Sequence, residues 1–164
     1  MATVRDRLWT WGHVAGSYNG AYGLPDSTLE PAEGAAYLGV PGLIQVAYSG
    51  KPEPPYDAYA AKFSPLERVV WSVVGAGGTT RGFEEELQAV QDLAVKFPNF
   101  VGAMMDDFFL DPERLAVYNP SEIATLRKRL HSGPKPLDLW VVLYDHQLEM
   151  PLAPHLAECD VVTS

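Results

Sequence analysis

F-V-G-A-M-M-D-D-F, residues 100–108 of the chain, stays apolar through Met105 and then meets two adjacent carboxylates, Asp106 and Asp107. A run that is hydrophobic at every position, rather than at alternate ones, suits a parallel strand covered on both faces. Charge at the carboxyl end of such a strand lies where parallel sheets bind ligands. Five other runs have the same character: LWTWGHVA (8–15), GLIQVAY (42–48), RVVWSVVG (68–75), LDLWVVLYD (137–145) and CDVVTS (159–164).

Helical signals separate them. Residues 83–97 put Phe83, Leu87, Val90, Leu93, Ala94 and Phe97 on one stripe, with Glu84, Glu85, Gln88 and Gln91 off it. Over 120–131, Asn119 caps, Pro120 opens the first turn, and Ile123, Leu126 and Leu130 form the buried side before Gly133-Pro134. A third helix begins around Ser27–Pro31 and runs to Gly39, and Asp111-Pro112 has the form of a helix start; residues 55–66 and PLAPHLAEC carry weaker helical signals. Strand–helix–strand units at intervals of roughly 30 residues imply right-handed βαβ crossovers and a parallel α/β sheet.

Two architectures use this plan, an open doubly wound sheet and a (β/α)8 barrel of about 250 residues. The chain has 164 residues and stops on CDVVTS, a strand with no helix after it. Long aromatic-rich segments follow the first two strands, as in barrel-top loops. The expectation is one domain over residues 1–164, a partial (β/α)8 barrel of about six strands cut after the sixth. The open doubly wound sheet is the alternative.

Composition narrows the partners. A net charge of −9 argues against a nucleic-acid footprint, and the basic run Arg127-Lys128-Arg129, with Lys135 nearby, falls at a helix carboxyl end, where it favours the dipole. One cysteine, Cys159, rules out an internal disulfide and a thiolate cluster. No apolar segment approaches the ~20 residues of a membrane span, and the amino terminus has no signal-peptide core. The expectation is a cytoplasmic protein, or a secreted one if a leader was removed, acting on a small molecule or oligosaccharide with neither nucleic acid nor membrane as partner.

The strand ends collect the chemistry. They bring Trp9, Trp11 and His13, then Tyr18 and Tyr22; Gln45 and Tyr48; Trp71 and Ser72; Asp106, Asp107 and Phe108; and Tyr144, Asp145, His146 and Gln147. In a regular strand Asp106 shares a face with Met104 and Asp107 with Met105, so one enters the pocket and the other turns outward; Asp106 is the favoured one. Aromatic faces hold sugar rings, and carboxylates bind hydroxyls. Glycosidic cleavage needs one carboxylic acid and one carboxylate. Asp106, Asp107 and Asp145 are the candidate catalytic groups, with Phe108 and Met104 as apolar neighbours that raise a carboxyl pKa by desolvation. Trp9, Trp11, His13, Tyr48, Trp71, Phe108, Tyr144 and His146 are the candidate substrate-binding set.

Trp9 and Trp11 in the first strand, MMDDFF at the end of the fourth and LWVVLYDHQ at the fifth resemble the amino-terminal part of a (β/α)8-barrel glycoside-hydrolase-like protein. The likeness is to the superfamily. The Asn-Glu pair that marks one glycosidase clan at strand four is missing, as is the D-x-x-D-x-D-x-E of the chitinase-like group. The resemblance implies a carbohydrate-active hydrolase without a cofactor, in which Asp106 or Asp107 is a general acid or part of the catalytic set, with a second carboxylate on a later strand.

Three other readings compete. Asp106 or Asp107 with Asp145, His146 and His13 would suit a divalent-metal-dependent sugar isomerase or epimerase, although adjacent Asp145 and His146 diverge on a strand. Aromatic platforms alone would suit a non-catalytic carbohydrate-binding barrel. The glycine-rich GAGGTTRG (75–82) has amides for a phosphate but matches neither dinucleotide nor Walker spacing, and Glu84–Glu86 follow it, which makes it a turn.

Overall fold

The computed structural model describes residues 3–74, 82–109 and 112–164. Six strands form one all-parallel sheet: β1 (Trp9–Gly12), β2 (Gly42–Gln45), β3 (Arg68–Val74), β4 (Phe100–Met105), β5 (Asp138–Val142) and β6 (Val161–Thr163). Between them lie α1 (Pro31–Leu38), α2 (Asp57–Ala60), α3 (Phe83–Lys96), α4 (Pro112–Val117), α5 (Pro120–Ser132) and α6 (Ala153–Leu156). Every run expected to be a strand contains one, and β1, β2, β4 and β5 stop three residues short of their runs' carboxyl ends, where the chain leaves the ladder.

The spatial order is β1-β2-β3-β4-β5-β6, and each pair is parallel. A doubly wound sheet reverses its order at a switch point. This sheet never does, so the open doubly wound alternative is excluded. Winding in one direction keeps all crossovers on one face and curls the sheet into a half-barrel, the partial parallel βα barrel expected from the sequence.

Two packed layers follow from strand alternation. On the convex side Leu43, Val69, Trp71, Phe100, Met105 and Leu139 meet the helix residues Leu87, Val90, Leu93, Ile123 and Leu130 in the main core. On the concave side Ile44, Val46, Val70, Met104, Trp140 and Val142 form a smaller cluster among the strands. Trp9 of β1 and Trp140 of β5 touch edge-to-face there, with centroids 4.7 Å apart, so the curl brings non-neighbouring strands together. Close approach is possible because the rings lie over glycines. A Cβ at Gly42 would stand 2.7 Å from the Trp9 ring, and one at Gly102 would stand 2.6 Å from the Trp140 ring.

The helices follow their sequence signals. In α3 Leu87, Val90, Leu93 and Ala94 are buried, as the stripe predicts. Asn119 Oδ1 caps α5 by accepting from the Ser121 and Glu122 amides at 3.0 and 3.2 Å. α1 begins at Pro31 with a capping box between Glu30 and Glu33, and Gly39 ends it at φ 63°. The weaker stretch 55–66 holds only the single turn α2 and a 3-10 turn over Ala61–Phe63. No described helix is long and apolar enough to cross a membrane.

Candidate functional site

A pocket of about 370 Å³ opens at the carboxyl ends of the strands on the concave side. Of the residues expected there, Asp106, Asp107, Trp11, His13, Tyr48 and Tyr144 line it. They come from the ends of β1, β2, β4 and β5, so the pocket draws on strands far apart in the chain. Tyr18, from the loop after β1, joins the wall, and Thr163 and Ser164 close the β6 side.

Both carboxylates line the pocket, which corrects the expectation that they point opposite ways. Alternation holds only while the strand is regular, and β4 ends at Met105. Asp107 adopts φ 48°, in the left-handed region. That backbone turn brings its side chain to the same side as Asp106, and its own N–H donates to Asp106 Oδ1 at 2.9 Å. Asp and Asn reach this conformation more readily than most residues. Asp106 is 6% exposed and follows Met104 of the concave cluster, the face favoured for it from the sequence.

The Tyr144 hydroxyl donates to Asp106 Oδ1 at 3.3 Å. Burial, then the charges of Asp106 and Asp107, push the Tyr144 phenol well above its ordinary pKa, so it remains a proton donor. Across the pocket Tyr18 stacks on His13 (4.5 Å, 19°) and meets Tyr48 edge-on (4.4 Å, 90°). The Tyr18 and Tyr22 hydroxyls lie 3.0 Å apart. That hydrogen bond, followed by desolvation and the nearby Tyr22, Tyr48 and Asp107, pushes the Tyr18 phenol up to about 12. Burial lowers the His13 pKa against the opposing pull of a hydrogen bond to the Val46 backbone, which favours the neutral imidazole. The result is two carboxylates against a wall of tyrosine, tryptophan and neutral histidine.

The remaining expected residues lie elsewhere. Asp145 is exposed at the start of a 3-10 turn over Asp145–Gln147 and is not in the pocket wall, because the chain turns away from the sheet after Tyr144. His146 is exposed and stacks on the Tyr144 ring at 5.8 Å, supporting it from outside. Trp9 sits deeper on the concave side, against Trp140 and beneath the Arg68 guanidinium. Trp71 and Phe108 belong to the convex core: Trp71 is 1% exposed among Tyr56, Phe63 and Phe100, and Phe108 packs on Phe109 and Tyr118. Neither can serve as a sugar platform, and Phe108 does not desolvate the acids from within the pocket. The glycine-rich loop lies outside the described residues except for Gly82.

Tyr18 is the aromatic residue of the pocket that was not in the expected binding set. Its signal was the aromatic density of the loop after β1, which marks a functional loop without saying which ring faces inward.

Among the described residues, the single group of three His, Cys, Asp or Glu side chains close enough to hold a metal is His131, Asp138 and Asp160. It lies at the opposite, amino end of the strands. Asp160 is already engaged by Arg127 (2.7 Å to Nε), His131 (2.8 Å) and the Leu139 N–H (2.9 Å), so this cluster is a structural tie. Both arginines of the basic run are thus paired, Arg127 with Asp160 and Arg129 in a bidentate contact with Glu84 at 3.0 and 2.7 Å. Comparison with protein-family models, with curated proteins and with solved structures returns no match.

Proposed function

We propose that this chain is a carbohydrate-active enzyme of the glycoside-hydrolase type, with Asp106 and Asp107 as its acidic pair. One observation carries the reading: two carboxylates and the rings of Trp11, Tyr18, Tyr48 and Tyr144 meet in a single pocket at the carboxyl ends of parallel strands. Tyrosine and tryptophan faces pack on the C–H surface of a sugar ring, while carboxylates and phenols bond its hydroxyls. Hydrolysis requires a proton for the leaving oxygen and a carboxylate for the anomeric centre or its water. Asp106 accepts from both the Tyr144 hydroxyl and the Asp107 amide, which suits the carboxylate role. Asp107, beside it at the turn, is assigned the proton of the leaving oxygen in this reading. Asp145 has no part in this scheme.

The test compares wild type with Asp106→Asn and Asp107→Asn on a panel of nitrophenyl glycosides and oligosaccharides. Asn is isosteric and accepts the left-handed backbone at 107, so only acid–base capacity is removed. Turnover is expected to fall about 10²- to 10⁴-fold in each variant, with sugar binding by calorimetry retained. Added azide is expected to restore turnover in Asp106→Asn. Sugar binding with no wild-type turnover would convert the proposal to a non-catalytic binding barrel, and absence of any binding would overturn both.

A further inference from the structure

Gln147 is 2% exposed and is not part of the pocket wall, yet both ends of its amide act on the loops that build the pocket. Its Oε1 accepts from the Tyr144 N–H at 2.9 Å. Its Nε2 donates to the Phe109 carbonyl at 3.3 Å. Tyr144 belongs to the segment after β5, and Phe109 to the segment after β4 that carries Asp106 and Asp107. The β4–β5 ladder cannot hold these segments together, because its last pair is Met105 with Val141. Beyond it, the polar ties between the two segments include the contacts of the Tyr144 hydroxyl with the Asp106 and Asp107 carboxylates and the bond from the Gln147 amide to Phe109. The Tyr144–Asp106 contact and the Gln147–Phe109 bond are equally long, at 3.3 Å, but the first lies at the tip of a half-buried side chain and the second is made by a buried amide.

We infer that Gln147 is the positioning residue of this pocket: it clamps the loop after β5 to the loop after β4 and so holds the Tyr144 hydroxyl at Asp106. The chemistry requires glutamine. A glutamate could still accept from the Tyr144 amide but would set an acceptor against the Phe109 carbonyl. A methionine would fill the volume and make neither bond. Either change leaves a buried backbone group without its partner, which the loops relieve by separating. The inference takes the pocket to be the functional site, as proposed above, but not any particular reaction.

The test therefore uses no sugar. The protein is labelled with 3-fluorotyrosine, and the fluorine resonance of Tyr144 is assigned as the one missing from Tyr144→Phe. Tyr59, whose hydroxyl donates to Glu30 at 3.2 Å, serves as a remote reference within the same molecule. In Gln147→Glu and Gln147→Met the Tyr144 resonance is expected to move towards that of free fluorotyrosine, and its titration midpoint to fall by about one pH unit as the phenol leaves the carboxylates. Tyr59 should not move. A lower melting temperature with an unchanged Tyr144 signal would show an ordinary core residue and overturn the inference, as would equal movement of Tyr59. Gln147→Glu, which keeps size and one hydrogen bond, provides the measurement if Gln147→Met does not fold. A Tyr144 signal that follows Gln147 in a protein without glycosidase activity would uphold the clamp and remove the hydrolytic reading.

Discussion

At the scale of single residues, Asp107 decides the character of the site. One left-handed backbone step converts an alternating pair into a convergent one, and two substitutions separate its two contributions. Asn visits the left-handed region readily, whereas Ala pays about 1 kcal/mol to enter it. Asp107→Ala is therefore expected to be less stable than Asp107→Asn by about 1 kcal/mol in urea unfolding, although both lack the charge. Equal stabilities would show that the backbone strain is not real. Tyr144 contributes through its hydroxyl. Tyr144→Phe keeps the ring and is expected to slow any glycoside turnover about tenfold, equivalent to about 1.4 kcal/mol, measured as kcat/KM; an unchanged value would mean that the contact with Asp106 does not help the reaction.

At the scale of elements, α5 shows how local signals and a tertiary tie combine. Asn119 caps its first turn, and replacing it with Ala should cost about 1 kcal/mol in denaturant unfolding. At the other end, Asp160 joins α5 to β5 through Arg127, His131 and the Leu139 amide. Burial alone would raise the Asp160 pKa, but the Leu139 N–H, Arg127 and His131 outweigh it and hold the carboxyl below its ordinary value. A lowered folded-state pKa contributes stability above the unfolded value of about 3.9, and that stability disappears as pH falls through the folded value. The urea midpoint of wild type should thus decline as pH drops below about 4, and Asp160→Asn should flatten that limb. An identical slope in the variant would remove Asp160 from the acid response.

At the scale of the molecule, the half-barrel depends on glycine. Trp9 and Trp140 fill the deep end of the concave face only because Gly42 and Gly102 leave room for their rings. Gly102→Ala would put a Cβ against the Trp140 ring and within 3.0 Å of the Asp138 carbonyl, where neither an indole nor backbone yields easily. A destabilisation of about 1–3 kcal/mol is expected, with a changed tryptophan emission, since the two rings must separate. Unaltered stability and emission would mean that the interior is looser than its contacts indicate.

The sequence by itself determined the six strands, the capped helices and the α/β class, because these depend on local chemistry: unbroken apolar runs, a helical stripe, Asn119 with Pro120, and Gly39 at a helix end. It also placed Asp106, Trp11, His13, Tyr48 and Tyr144 at strand ends, where parallel sheets keep their ligand sites. Which faces turn inward was not legible, since parallel strands are apolar on both sides. Trp71 and Trp11 read alike in the sequence, yet one lies under helices and the other in the pocket. Only the tertiary structure decided the winding direction of the sheet, the approach of Tyr18, the departure of Asp145 and the shared orientation of Asp106 and Asp107. Each of these depends on where the chain leaves its ladder and on contacts between segments distant in sequence, which no local pattern encodes.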